Sequence, residues 1–204
     1  HMKALVIKDI LNLKKQYRVL GLLFGFYLIF GLAAGQPDAF SGVITMMMVL
    51  LTITSMSYDE RSHWDKYALT MTVSRRELVL SKYVLGVLLS LLAFVLNLPM
   101  QKIAGSLPWI DALMVSAMLT GLALFLLAVL LPLMFHFGVE KGRILMMIVF
   151  LVPTALILIL GRAGLTFPDG GPPAWLPGVA AAVLAGVLGL SLWLSFRIMG
   201  SKEF

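Results

Sequence analysis

The stretch Ser57–Lys82, SYDERSHWDKYALTMTVSRRELVLSK, is the one long polar interruption in an otherwise almost continuously apolar chain. Each of its halves opens with the motif Ser-x-x-Glu, first at Ser57–Glu60 and then at Ser74–Glu77. In such a capping box the serine oxygen accepts the N3 amide and the glutamate accepts the amide of the cap residue. The stretch therefore predicts two helix starts separated by a corner.

The first of these predicted helices, at 58–71, has an amphipathic pattern. Apolar side chains recur on it at helical spacing, and charged side chains fill most of the remaining circumference. The apolar positions are Trp64, Tyr67, Ala68 and Met71. An aromatic residue ringed by charges is typical of a protein interface. Anchoring of Trp64 in the lipid headgroup layer is the alternative.

The second motif predicts a defined corner between the amphipathic helix and the next span. Val73 precedes the cap and Leu78 occupies the N4 position, so the two form a hydrophobic staple that fixes the angle of entry. The residues predicted to form this corner are Val73, Ser74, Arg75, Glu77 and Leu78.

Composition places the whole chain in a membrane. The 204 residues are 60% hydrophobic and 13% charged, whereas a soluble domain is about half apolar and a quarter charged. We predict an all-α membrane protein with a single domain, 1–204, because its apolar runs are long enough to cross about 30 Å of hydrocarbon. The absence of cysteine excludes disulfides and thiolate metal sites.

Six transmembrane helices are predicted, preceded by an amphipathic helix at 3–16 that lies in the membrane interface with Leu5, Val6, Ile10 and Leu13 along one side. The predicted spans are 19–35, 40–56, 78–100, 111–134, 144–161 and 179–197. Of the 16 lysines and arginines, all except Lys102 and Arg162 fall on the side that holds both termini. The positive-inside rule therefore places both termini and the stretch Ser57–Lys82 in the cytoplasm.

The chain lacks the residues that most enzymatic sites require. It has no G-x-x-x-x-G-K-[ST] loop to hold a nucleotide, and Asp38, Asp111 and Asp169 lie at the outer edges of the spans rather than at depth. His63 and His136 lie in predicted loops without metal-ligand spacing. We therefore expect no catalytic residue, no metal site and no bound cofactor. Nucleic-acid binding is also disfavoured, since membrane orientation explains the basic loops.

Some polar and methionine residues lie within the predicted spans. They suit either the lining of a cavity for varied apolar ligands or contacts between helices, and the sequence leaves both interpretations open. The candidates for cavity lining are Met46, Met47, Thr52, Ser90, Asn97 and Thr120.

Several of these residues form a pattern known from a family. The pattern consists of Glu60-x-x-x-Trp64, Thr72-Val73-Ser74-Arg75, Lys82-Tyr83 and Phe137-Gly138-x-Glu140-Lys141-Gly142-Arg143. With six spans, it resembles the short ABC-2-type permeases of bacterial ATP-binding-cassette transporters. The nearest likeness is to permeases that export amphipathic peptide toxins such as phenol-soluble modulins. The family usually has proline at the position of Thr72, so a less rigid corner is expected here.

The resemblance implies a multi-pass protein of the bacterial plasma membrane that works with a separate cytoplasmic ATPase. Two ATPases, which bind ATP and Mg, would join two permeases, the second being another copy or a paralogue. Amphipathic peptides or other lipophilic molecules would be the cargo. The residues implied in ATPase docking are Asp59, Glu60, Arg61, Trp64, Lys66, Tyr67, Glu140, Lys141 and Arg143.

Three other classes of function are compatible with a polytopic membrane protein. A scaffold or sensor that uses the same ATPase would show no cargo-stimulated turnover. An intramembrane enzyme would need a buried catalytic group. A channel or ATP-independent carrier would show flux without an ATPase.

Overall fold

The computed structural model describes residues 2–13, 17–34, 37–64, 73–103, 106–142, 144–149, 151 and 176–201. The main helices are α1 (Met2–Leu13), α2 (Tyr17–Ala34), α3 (Pro37–Arg61), α4 (Arg75–Ile103), α5 (Trp109–Phe137) and α6 (Leu176–Ser201). Residues 139–142 and 144–149 are also helical. No strand occurs in these ranges, and the predicted all-α class is confirmed.

Helices α3 and α4 each pack against four other helices, and α3 contacts α1, α2, α4 and α5. Helix α4 packs against α1, α3, α5 and α6. Its close approach to α5 depends on Gly86, because a Cβ atom there would lie 2.9 Å from Leu127 Cδ1. Two apolar clusters fill the bundle, one including Val79, Leu130 and Met134 and the other including Phe40, Ile44 and Met100.

Within the part of the chain that the structure describes, four helices are long and apolar enough to cross a membrane. They are Phe40–Arg61, Arg75–Ile103, Trp109–Phe137 and Gly178–Ser201, and they overlap the spans predicted at 40–56, 78–100, 111–134 and 179–197. Helix α2 covers the span predicted at 19–35 through a shorter apolar helix, Gly21–Gly31. Most of the span predicted at 144–161 lies outside the described residues, so the count of six remains a prediction.

The apolar residues of helix α1 that were predicted to share one side have different surroundings in the structure. Leu5 and Leu13 are buried, but the residue between them on that face is Asp9, which is only 1% exposed. Ile10, predicted to lie with Leu5 and Leu13, is exposed together with Ile7 and Leu11. The grouping failed because it rested on apolar spacing alone, whereas Asp9 has a basic partner, Lys82, inside the bundle.

Candidate functional site at the charged end of the helices

The second capping box has the predicted geometry. The backbone N–H of Ser74 donates to Glu77 Oε2 at 2.9 Å, and the backbone N–H of Glu77 donates to Ser74 Oγ at 3.2 Å. Helix α4 begins at Arg75, directly after this cap. Val73 packs against the cluster of buried Leu5 and Leu78, an arrangement consistent with the predicted staple. The capping box at this corner therefore forms as the sequence predicts.

The first capping box does not form, and the helix start predicted at 58 is wrong. Helix α3 runs without a break through Ser57 and Glu60 to Arg61. It ends where His63, at φ +49°, adopts a left-handed conformation. The preceding residues are already helical, so Ser57 cannot take the extended conformation of a cap residue. The predicted helix at 58–71 is therefore partly α3, and its residues 65–71, like Thr72 after them, lie outside the described residues.

Glu60 joins the first polar stretch to the second one. Its Oε2 atom accepts the backbone N–H of Val139 at 2.6 Å, at the start of the helical residues 139–142. A carboxylate is favourable there because the first amides of a helix lack partners within it. Gly138 permits the contact: its φ is +80°, and a Cβ atom would lie 2.7 Å from Glu60 Oε1. The two segments predicted to dock an ATPase are thus in direct contact.

A cluster of four charges lies beside this contact and was not predicted. Lys8 Nζ lies 3.1 Å from Asp9 Oδ1 and 2.6 Å from Asp59 Oδ1. Lys82 Nζ lies 2.9 Å from Asp9 Oδ2 and 2.5 Å from Asp59 Oδ2, and it also donates to Ser55 Oγ at 2.9 Å. The residues Lys8, Asp9, Asp59 and Lys82, here called the charge square, alternate in sign and connect α1, α3 and α4.

Burial makes the charge square energetically important. Asp9, Asp59 and Lys82 are 1%, 4% and 5% exposed. Removing one partner of a buried ion pair leaves an uncompensated charge and costs about 3–5 kcal/mol. Asp59 therefore belongs to the interior of this chain, and we remove it from the predicted docking surface. One signal could have identified the square: charges next to or inside membrane spans usually pair with one another.

Trp64 also makes contacts within the chain. It is half-buried and packs against the cluster formed by Leu5 and Leu78. Lys8 Nζ lies 4.5 Å from the centroid of its ring, a favourable cation–π distance. The ring therefore helps to hold α1 against α4, in addition to the docking role predicted for it.

The other predicted docking residues divide into two groups. Arg61, Glu140 and Lys141 are exposed and flank the bond from Glu60 to Val139. Lys66, Tyr67 and Arg143 lie outside the described residues. The exposed surface at this end thus carries both signs of charge.

Helix α6 is attached to the same end by polar bonds. Arg75 donates to the backbone oxygens of Met199 and Gly200 at 3.2 and 2.8 Å, where a cation also offsets the negative end of the helix dipole. The Tyr83 hydroxyl lies 2.9 Å from Ser195 Oγ and also contacts Ser191 Oγ. These bonds matter because only 11% of the apolar part of α6 is buried inside the chain.

Four of the six residues predicted to line a cavity are buried within this one chain. Thr52, Ser90 and Asn97 are at most 1% exposed and Thr120 is 9% exposed. The hydroxyls of the first two donate to the backbone oxygens of Met48 and Gly86. Asn97 Nδ2 donates to Thr45 Oγ1 at 3.0 Å. Met46 and Met47 are half-buried.

No group of three or more His, Asp or Glu side chains that could hold a metal occurs among the described residues. Both histidines named above, His63 and His136, are exposed. The chemistry of the charged end is therefore that of ion pairs, helix caps and an exposed polar surface.

Comparison with known protein families finds a match over most of the chain. A family model described as "ABC-2 family transporter protein" matches residues 4–200, which is nearly the whole chain and includes every described contact above. No curated protein and no solved structure shows significant similarity to the chain.

Proposed function

We propose, from the premise that this chain belongs to the ABC-2 family of transporter proteins, that it is the permease subunit of an exporter in the bacterial plasma membrane. A separate cytoplasmic ATP-binding-cassette ATPase drives it, and two ATPases work with two permeases. The family match supports a membrane-embedded permease with an ATPase partner in general. The direction of transport, the subunit numbers and the cargo are our additions.

The contact between Glu60 and Val139 is the observation that carries the proposal. It brings together Arg61 from the first polar stretch and Glu140 and Lys141 from the second, so that the two docking segments form one surface. A mixed-charge surface of this kind guides association and sets register with a partner. We assign the docking of the ATPase to this composite surface.

Movement of the docked ATPases would reach the spans by two routes. One is direct, because α3 continues from the span into the docking surface without a break at Ser57. The other passes through the capped corner at Ser74 into α4. ATP-driven closure would then move both helices together and switch the permease between packed states.

The transport path is proposed to lie between two permeases. This is supported by Thr52, Ser90 and Asn97, which are buried within a single chain rather than exposed along a path through it. Amphipathic peptides or other lipophilic molecules are the proposed cargo, because exposed side chains along the spans are largely apolar. The more specific likeness to exporters of peptide toxins rests on the sequence pattern alone.

Both termini are proposed to lie in the cytoplasm. The charge square and Arg75 bring together α1, the end of α3, the first turns of α4 and the end of α6 at the charged end. Their shared location supports the orientation derived from the positive-inside rule.

Charge reversal at the composite surface tests the docking proposal. We expect Arg61→Glu combined with Lys141→Glu to lower recovery of the ATPase about tenfold or more, because like charges at an interface are strongly unfavourable. The measurement is mass spectrometry of proteins that co-purify with the permease from native membranes. Arg61→Lys with Lys141→Arg is the matched control and should retain the ATPase. Equal recovery of the ATPase by both double variants would contradict docking at this surface. If the ATPase binds but its hydrolysis of ATP does not depend on cargo, the chain is a scaffold or sensor instead.

A further inference from the structure

Helix α1 has two faces of opposite character, and the unusual one faces the protein. Toward α3 and α4 it presents Leu5, Asp9 and Leu13, all of which are buried. Toward the outside it presents Ile7, Ile10 and Leu11, which are 50–56% exposed. A helix held to the membrane only through its apolar face would leave its acidic residue in water. Here the acidic residue is used to bind the bundle.

The charge square binds α1 to both helices that leave the docking surface. Lys8 pairs with Asp59 at the end of α3, and Asp9 pairs with Lys82 near the beginning of α4. Lys82 and Asp59 also pair directly, so α3 and α4 would remain connected without α1. The two ion pairs made by α1 therefore attach α1 and are not needed to connect α3 with α4.

The surroundings of the square hold α1 in the same place. Trp64 follows α3 and lies over Lys8 Nζ, while Leu5 packs against Leu78 of α4. Asp9 and Lys82 are nearly inaccessible to solvent, so separating them would leave buried charges without partners. These ion pairs are thus expected to stay intact while the helices that they connect move together.

We propose that Lys8, Asp9, Asp59 and Lys82 are positioning residues which make α1 a moving part of the coupling unit, so that efficient transport requires α1 to be tied to α3 and α4. This inference rests on the proposed function, since it concerns how an ATPase-driven movement is distributed. Through the square, α1 carries that movement to the membrane surface that its Ile7, Ile10 and Leu11 face.

Double substitutions that keep the total charge constant distinguish the loss of the ion pairs that hold α1 from a change in the total charge. Asp9→Asn with Lys8→Gln leaves the pair of Lys82 and Asp59, which connects α3 with α4 and releases α1. Asp9→Asn with Lys82→Gln leaves the pair of Lys8 and Asp59, which still connects α1 with α3. Both variants remove one acid and one base, so neither leaves an excess buried charge.

Two measurements are made on the complete complex of permease and ATPase. The first is the amount of a fluorescent amphipathic helical peptide transported per ATP hydrolysed in proteoliposomes. The second is labelling of a Leu5→Cys reporter by a water-soluble maleimide in permeabilised membranes. The chain has no other cysteine, and Leu5 is only 5% exposed while α1 is in place. Leu5→Cys alone is the background control.

The variant that releases α1, D9N/K8Q, should label about tenfold faster and transport about tenfold less peptide per ATP, while still co-purifying with the ATPase. The variant that keeps α1 tied, D9N/K82Q, should stay close to the background in both measurements. Labelling tests the tie even if a variant accumulates poorly in the membrane.

Unchanged labelling of D9N/K8Q would overturn the assignment of these charges as the tie. Faster labelling with unchanged transport per ATP would overturn the role of α1 in coupling, and so would equal losses in the two double variants. If the unsubstituted complex shows no ATP-dependent peptide transport, the proposed function fails instead. The labelling contrast then still decides whether the charge square holds α1.

Discussion

The two Ser-x-x-Glu motifs of this chain have the same spacing but form different structures. At Ser74–Glu77 the side chains bond to each other's backbone and begin α4. At Ser57–Glu60 the residues lie inside α3, and the glutamate caps a helical segment that begins at Val139. A Ser-x-x-Glu motif can cap the helix that follows it only where the residues before it are not already helical. The second motif is thus stabilised by hydrogen bonds between neighbouring residues. The region of the first motif is stabilised by bonds to residues that are far away in the sequence.

The largest effect is expected at Asp59, in the region held by distant bonds. Asp59→Asn removes the charge that pairs with both Lys8 and Lys82, leaving an excess of buried positive charge. We expect the free energy of unfolding to fall by about 3–5 kcal/mol. Denaturant unfolding in detergent micelles, followed by tryptophan fluorescence, measures the change. A loss as small as that of an exposed charge such as Arg61→Gln would show that the square is not buried in solution.

A smaller loss is expected from Gly138→Ala. The left-handed backbone at φ +80° disfavours a Cβ atom, and that atom would also lie 2.7 Å from Glu60 Oε1. We expect a cost of about 1–3 kcal/mol from backbone strain, together with weaker binding of the ATPase because the composite surface is displaced. Gly178→Ala is the control, since nothing lies within 4 Å of a Cβ atom there. Equal stabilities of the two variants would argue against the contact with Glu60.

The cap at Ser74 should contribute less, through a local bond. Ser74→Ala removes the acceptor for the Glu77 amide, and loss of an N-cap typically costs about 1 kcal/mol. Ser74→Asp, which preserves an acceptor, serves as the conservative control in the same unfolding measurement. Full stability of the alanine variant would contradict a functioning capping box at this position.

The corresponding change at Ser57 should have the smallest effect and can have the opposite sign. Ser57 lies in the interior of α3, where alanine has a higher helix propensity by roughly half a kcal/mol. We therefore expect Ser57→Ala to be neutral or slightly stabilising. A loss equal to that of Ser74→Ala would mean that a helix does begin at Ser57, and the contrast between the motifs would disappear.

Features that depend on neighbouring residues could be predicted from the sequence, whereas those joining distant residues could not. The cap at Ser74, the staple of Val73 with Leu78 and the apolar character of the spans all follow from local spacing and composition. Asp9 and Lys82 are 73 positions apart, and Glu60 and Val139 are 79 apart. Their pairing depends on how α1, α3, α4 and the segment after α5 pack.

The error about α1 has the same origin. Spacing alone grouped Leu5, Ile10 and Leu13 on one apolar face, because charged residues are usually assigned to water. Inside the bundle, Lys82 Nζ lies 2.9 Å from Asp9 Oδ2. This ion pair orients α1 with Asp9 toward the bundle and Ile10 toward the outside. Knowledge of that partner, rather than a better count of apolar residues, decides the orientation of the helix.

Photo-cross-linking of the assembled transporter tests most directly whether the ATPase docks on the composite surface at the charged end. A photoreactive amino acid replaces Arg61, Lys141 or, as the control, Ile110, which is 74% exposed at the opposite end of α5. After irradiation of intact membranes, we predict an adduct with the ATPase from positions 61 and 141 and none from 110. Capture from position 110, or from neither 61 nor 141, would contradict docking at this surface.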